Sequence, residues 1–159
     1  MHSQSNTSVL EIVQKMEYYC SYQERCHAEV VQKLYGLAAP QKLHDEIIVH
    51  LIHHNFLNEE RFAKLFSISK FHQKKWGKNR ITAELKQRHL SDYLVRIGLK
   101  EIPEDEYETA FQELAEKTWN SITEKNVLKK RKKYCDTLLR KGWESDWVYE
   151  KVKALEKNV

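Results

Sequence analysis

Apolar residues recur along this chain at three- and four-residue spacing, the pattern of amphipathic helices. Val9, Ile12, Val13, Met16 and Cys20 predict a first helix over about 9–21. A second, over about 24–36, turns Val30, Val31 and Leu34 inward and closes at Gly36 and Pro40. Leu43, Ile47, Ile48, Leu51 and Ile52 line a third. Asn58 is a good N-cap for a fourth, and Glu59 and Glu60 suit the positive end of its dipole. Its apolar side is Phe62, Leu65, Phe66 and Phe71. Gly77 interrupts the pattern, Ile81 and Leu85 carry a fifth helix, and Ser91 caps a short sixth with Leu94 and Ile97. Pro103 opens a seventh, with Glu104, Asp105 and Glu106 in its first turn. Tyr107, Phe111, Leu114, Thr118 and Ile122 are its stripe. Leu128, Cys135, Leu138 and Leu139 mark an eighth that stops at Gly142. Trp147, Val148, Val152 and Leu155 mark a ninth over about 145–156.

These nine helices fall into three similar groups. Leu34, Leu85 and Leu138 each lie near the end of a basic, polar helix. Four residues later stands a stop residue, Ala38, His89 or Gly142, and then a turn and another helix. The spacings are 51 and 53 residues, so the chain reads as an all-α tandem array of three-helix, helix-turn-helix-like modules. The expected division is a flexible N-terminus over 1–8 and modules over 9–56, 57–102 and 103–159. Such modules bury their apolar faces against one another and present an extended surface. Extended surfaces suit long partners, which favours a binding protein over an enzyme.

Composition agrees with helices. Four Gly and two Pro are too few for the turns of an all-β protein. No run of 18 apolar residues exists to span a membrane, and the polar stretch from Met1 to Ser8 lacks the apolar core of a signal peptide. Both observations predict a cytoplasmic protein. Cys20, Cys26 and Cys135 are odd in number and fall within helical patterns, as packed free thiols of a reducing compartment would.

Charge changes the picture more. The net charge is only +4, but it is unevenly spread. Residues 56–102 carry 11 Lys/Arg against 5 Asp/Glu, and residues 125–141 carry 8 against 1. In the first segment Lys70, Lys74, Lys75, Lys78, Arg80, Lys86 and Arg88 interleave with Phe71, His72 and Trp76, and Glu84 is the sole acid from 66 to 88. That density can neutralise several phosphates or meet an acidic protein surface, and Trp76 could stack on an exposed base. A solvated helical edge with Trp76 packed between modules is the alternative. In the second segment Lys129, Lys130, Arg131, Lys132 and Lys133 are consecutive and point all round a helix. They suit a contact patch or a solvated helix start equally well, and basic residues there oppose the dipole.

Other clusters are weaker. His50, His53 and His54 sit at i, i+3 and i+4, but no acid stands at the spacing of a zinc protease motif, so no metal site is expected. Cys20 and Cys26 do not form a CxxC pair. Trp143 and Trp147 read as packing against the preceding helix, with a partner patch as the alternative. No GxSxG, Gly-rich phosphate loop or other catalytic arrangement is present, and no cofactor is expected.

The segment Phe56-Leu57-Asn58-Glu59-Glu60-Arg61-Phe62-Ala63 resembles the "yLnDeRFA" turn of the RecX family, regulators of the RecA recombinase. The continuation is similar too: a basic stretch, Gly77, Arg80-Ile81, Glu84-Leu85, and then Lys141-Gly142-Trp143 at the place of the family's "KGF" element. The likeness spans roughly residues 10–155. Glu59 departs from a common Asp, His89 from a usual Gly, and Leu37-Ala38-Ala39-Pro40 from a simple Lys-Gly turn, all of which bear on turn geometry. The resemblance implies three tandem modules in a curved, elongated monomer. It implies binding along the groove of RecA filaments on single-stranded DNA, blocked filament growth, faster disassembly, and suppressed ATP hydrolysis and strand exchange. From another class, a helix-turn-helix transcription regulator would read duplex DNA with residues 78–99 and bind as a dimer.

Overall fold

In the computed structural model every regular element among the described residues is helical. Backbone is described for residues 2–158 and side chains for residues 9–158, so the flexible stretch expected over 1–8 lies outside the fully described residues. The helices are α1 (His2–Tyr22), α2 (His27–Gly36), α3 (His44–His53), α4 (Glu59–Lys74), α5 (Lys78–Gln87), α6 (Asp92–Leu99), α7 (Glu104–Ser121), α8 (Val127–Arg140) and α9 (Ser145–Lys157). A single 3₁₀ turn, Gln41–Leu43, precedes α3. Packing is mostly between helices of the same group, α1–α3, α4–α6 and α7–α9, so the molecule is three three-helix modules in sequence.

Local capping sets the helix ends, with side-chain N-caps in modules two and three and one C-terminal cap in all three. Asn58, Ser91 and Asn126 cap α4, α6 and α8, each side chain accepting the backbone N–H three residues on. At the other end, Leu34, Leu85 and Leu138 are each fully buried. Their carbonyls accept the N–H groups of Ala39, Leu90 and Trp143 at 3.0, 3.2 and 3.2 Å. Between them Ala38, His89 and Gly142 hold left-handed backbone, with φ of 56, 65 and 96°. This is one C-terminal cap repeated three times, with a buried apolar residue just beyond the left-handed position. The departures at Ala38 and His89 therefore leave the turn geometry intact.

Two cores result. Ile12, Met16, Cys20, Val30, Leu34, Ala39, Ile47, Leu51 and Leu57 form that of module one. A continuous core runs through modules two and three, from Phe62, Phe71, Ile81 and Leu85 to Phe111, Trp119, Tyr134, Trp143 and Val152. Burial keeps the three thiols protonated, lifting Cys20 and Cys26 to about 11 and raising Cys135.

The predicted stripes shift in places. Leu65 is 50 % and Leu128 70 % exposed, and Ile52 also faces solvent. In α6 the inward residue is Val95 rather than Leu94 or Ile97, which are half-buried. In α7 Ala115 and Trp119 are buried where Leu114 and Thr118 were expected. In α6 the inward position follows from the close crossing of α4 through the small residues Ala63, Ser67 and Gly98, and in α7 the buried stripe runs at strict four-residue spacing, Tyr107, Phe111, Ala115 and Trp119.

Candidate nucleic-acid and protein interface

The junction between modules one and two is built by the segment that starts α4. Leu57 buries its side chain in the core of module one, whereas Cys26, from the turn before α2, buries in the core of module two. Phe62 lies beneath the same junction, stacked on Phe66 at 5.6 Å between ring centroids, and Ala63 is fully buried. Arg61 closes it. Its guanidinium donates to Glu24 at 3.0 Å and to the carbonyl of Asn55 at 2.9 Å, and its backbone N–H donates to Asn58 Oδ1. Glu60 remains exposed and pairs with Lys64 one turn on. Glu59 reaches back to accept from the N–H of His27 at 3.1 Å, at the start of α2.

The junction between modules two and three is a backbone contact. The N–H of Gly77 donates to the carbonyl of Lys141 at 2.8 Å, and that of Asn79 to Gly142 at 3.0 Å. Trp143, fully buried, donates its indole N–H to the carbonyl of Lys75 at 3.0 Å. Tyr107 accepts the N–H of Lys78 at 2.9 Å and donates to the carboxylate of Glu144 at 2.8 Å. Its ring stacks on Trp143 at 4.6 Å, and burial raises its hydroxyl pKa well above the ordinary value. Nothing in the spacing of Gly77, Tyr107 and Trp143 announces this meeting, since the partners are 29 to 68 positions apart.

The basic segment of module two divides in two. Lys74, Lys75 and Lys86 are exposed, and Lys86 pairs with Asp92. Lys70, Lys78, Arg80 and Arg88 are half-buried. Arg80 lies over the Trp76 ring at 4.3 Å, with Lys70 5.3 Å from the same ring. Lys78 sits over Tyr107 at 4.6 Å, and Arg88 lies over Phe66 and pairs with Glu84. The freely exposed basic surface of module two is thus narrower than the count of Lys and Arg suggests. Trp76, packed edge-on to Phe66, orders the cations around itself.

The consecutive bases of α8 are also largely engaged. Arg131 grips Glu156 with two bonds of 2.6 and 2.7 Å, which holds that carboxyl below its usual range. Lys132 pairs with Asp136, Lys133 with Glu124, and Lys130 covers the Trp119 ring at 4.3 Å. Lys129 has no ion-pair partner among the described residues. Of these bases, Arg131 ties α8 to α9 and Lys130 covers the end of α7, whereas Lys129, Lys132 and Lys133 stay exposed.

Modules one and two leave a groove of about 670 Å³ between them. Phe62, Leu65 and Phe66 line it, together with the acids Glu24 and Glu29 of module one and the cations Lys70 and Arg88 of module two. His50 pairs with Glu17 at 3.4 Å, and no cluster of metal-binding side chains occurs among the described residues. Among them, too, no helix is long and apolar enough to cross a membrane.

Residues 58–99 match the family model described as the second three-helix domain of RecX. The chain is 30% identical over 129 residues to a regulatory protein RecX of Bacillus cytotoxicus, covering 80% of this chain and 47% of that protein. A regulatory protein RecX of Bacillus thuringiensis is 26% identical over 128 residues, with the same coverage. The chain thus spans about half the length of the curated relatives it matches. A crystal structure of RecX from Lactobacillus salivarius aligns with a TM-score of 0.78 at 23% identity, over 95% of this chain and 98% of that one. Another, of a regulatory protein RecX, aligns with a TM-score of 0.82 at 20% identity, over 95% of this chain and 75% of that one. These two likenesses speak to the fold.

Proposed function

Since the chain belongs to the RecX family, we propose that it regulates RecA by binding the recombinase filament on single-stranded DNA and limiting filament growth. The observation that carries this reading is the match of residues 58–99 to the second RecX domain, set within three modules of one design. An array of linked modules suits a helical filament, because each can meet a successive part of a long groove. Arg61 and the Gly77–Gly142 contact hold neighbouring modules in fixed order, so the partner meets a preformed surface. Lys74 and Lys75, exposed at the end of α4, and the cations gathered round Trp76 supply the positive charge for phosphates or acidic RecA side chains. Such a regulator acts by occupying surface and needs no catalytic group or cofactor of its own. We place it in the cytoplasm, acting as a monomer.

Co-sedimentation tests the reading. The chain is expected to pellet with RecA filaments assembled on single-stranded DNA with a non-hydrolysable ATP analogue. Recovery of the chain in the supernatant, with filaments intact, would refute it. A duplex transcription regulator would instead bind one defined duplex tightly and leave filaments alone.

A further inference from the structure

The most exposed tyrosines among the described residues lie on α1. Tyr18 and Tyr22, one helical turn apart, are 71 and 72 % exposed. Their ring centroids are 6.3 Å apart and their planes 35° apart. Exposing two large rings side by side is unfavourable unless something covers them in use. Beside them runs a shallow groove of about 550 Å³ lined by Lys15, Tyr19, Arg25 and Lys33. Arg25 lies over the Tyr19 ring at 3.7 Å, held by its bond to the Tyr19 carbonyl and its pair with Glu29. Lys33 reaches in from α2, 5.4 Å from the same ring. Lys15 and Lys33 are exposed and have no ion-pair partner among the described residues, and Glu11 is the sole acid in the lining.

We propose that Tyr18 and Tyr22 form a stacking platform for bases of single-stranded nucleic acid, with Lys15 and Lys33 receiving the flanking phosphates. Aromatic faces beside mobile cations are the two parts such binding needs, and stacking accepts any base. The ring separation is close to twice the about 3.4 Å rise per nucleotide of one strand in B-form DNA, so adjacent bases of an extended strand can each meet a ring. The positive lining favours a polyanion over an apolar peptide, and the tyrosine hydroxyls keep the platform soluble when empty. This inference rests on the single-strand part of the proposed function and deepens it by giving the strand a surface on module one.

Binding of a fluorescent oligo-dT strand, measured without RecA by anisotropy at low salt, tests it. Tyr18→Ala/Tyr22→Ala is expected to weaken binding on the order of 100-fold, from the loss of two stacked bases. Tyr18→Phe/Tyr22→Phe is expected to bind like the parent, because stacking needs the ring. A strand carrying 5-iodouracil should crosslink to Tyr18 or Tyr22. Unfolding curves of both variants should overlay the parent's, since the rings are exposed. Unchanged binding by the alanine variant overturns the proposal, as does an absence of binding by the parent. So does a variant that binds oligo-dT normally yet loses RecA filaments, which would make the platform a protein contact. With RecA absent, failure here is read separately from failure of RecA regulation.

Discussion

The Gly77 α-carbon faces the Gly142 peptide so closely that a β-carbon on Gly77 would lie 2.4 Å from the Gly142 carbonyl oxygen. The contact is reciprocal, since a β-carbon on Gly142 would lie 2.3 Å from the backbone of Arg80. Here the start of α5 is laid directly on the cap that ends α8, and two of its N–H groups are satisfied by carbonyls of module three.

Alanine at either glycine should open this junction. Gly77→Ala is expected to destabilise by about 1–3 kcal/mol through overpacking. Gly142→Ala should cost more, because its left-handed backbone adds strain of about 1–3 kcal/mol. Urea unfolding followed by the fluorescence of Trp143 and its neighbours would measure both. Parent-like midpoints for the two variants would show that the modules can separate freely here.

Phe62→Ala should destabilise by about 3–5 kcal/mol, the range for emptying a core aromatic site. Arg61→Ala should cost about 1–2 kcal/mol by uncapping the Asn55 carbonyl and leaving Glu24 without its cation. Thermal melts of the single and double variants give the comparison. The double variant should cost less than the sum, since both residues brace one junction.

The repeated caps predict the opposite effect at two positions. Ala38 and His89 hold the left-handed backbone that Gly142 adopts in module three. An L-residue is strained there by about 1–2 kcal/mol, part of which glycine loses again as unfolded-state entropy. Ala38→Gly and His89→Gly should therefore each raise stability by roughly 0.5–1 kcal/mol, seen as a higher urea midpoint at constant slope. A lower midpoint would mean that the His89 or Ala38 side chain contributes packing that outweighs the strain.

Lys74 and Lys75 isolate the electrostatic part of binding, because their side chains make no ion pair among the described residues. Lys74→Gln/Lys75→Gln should leave stability within about 0.5 kcal/mol of the parent. The slope of log affinity against log salt for single-stranded DNA should fall by about 0.7 for each phosphate that is no longer neutralised. An unchanged slope would place the phosphate-binding cations elsewhere on the chain.

What can be read from sequence is local. The Leu34, Leu85 and Leu138 repeat, the Asn58 and Ser91 caps and the stop at Gly142 are decided within one helical turn, and all stand where the pattern puts them. The burial of Phe62 is legible because the N-cap turn fixes which face of α4 follows. What escapes is set by pairs distant in sequence. The ion pairs of Arg131, Lys132 and Lys133 with Glu156, Asp136 and Glu124 join residues 4 to 25 positions apart at the surface, and the run of bases alone does not show them. The sequence leaves Trp76 either to stack on a base or to pack between modules, and only distant partners show it set among Phe66, Lys70 and Arg80. Tyr18 and Tyr22 fall off the Ile12, Met16 and Cys20 stripe, so the pattern turns them outward, but it does not show that Lys33 of α2 comes beside them.

The most direct measurement is steady-state ATP hydrolysis by RecA on single-stranded DNA as this chain is added. A regulator that limits filament growth should abolish hydrolysis at chain concentrations well below that of RecA, since blocking one growing end affects many subunits. Hydrolysis that continues unchanged at a chain concentration equal to that of RecA would contradict the account.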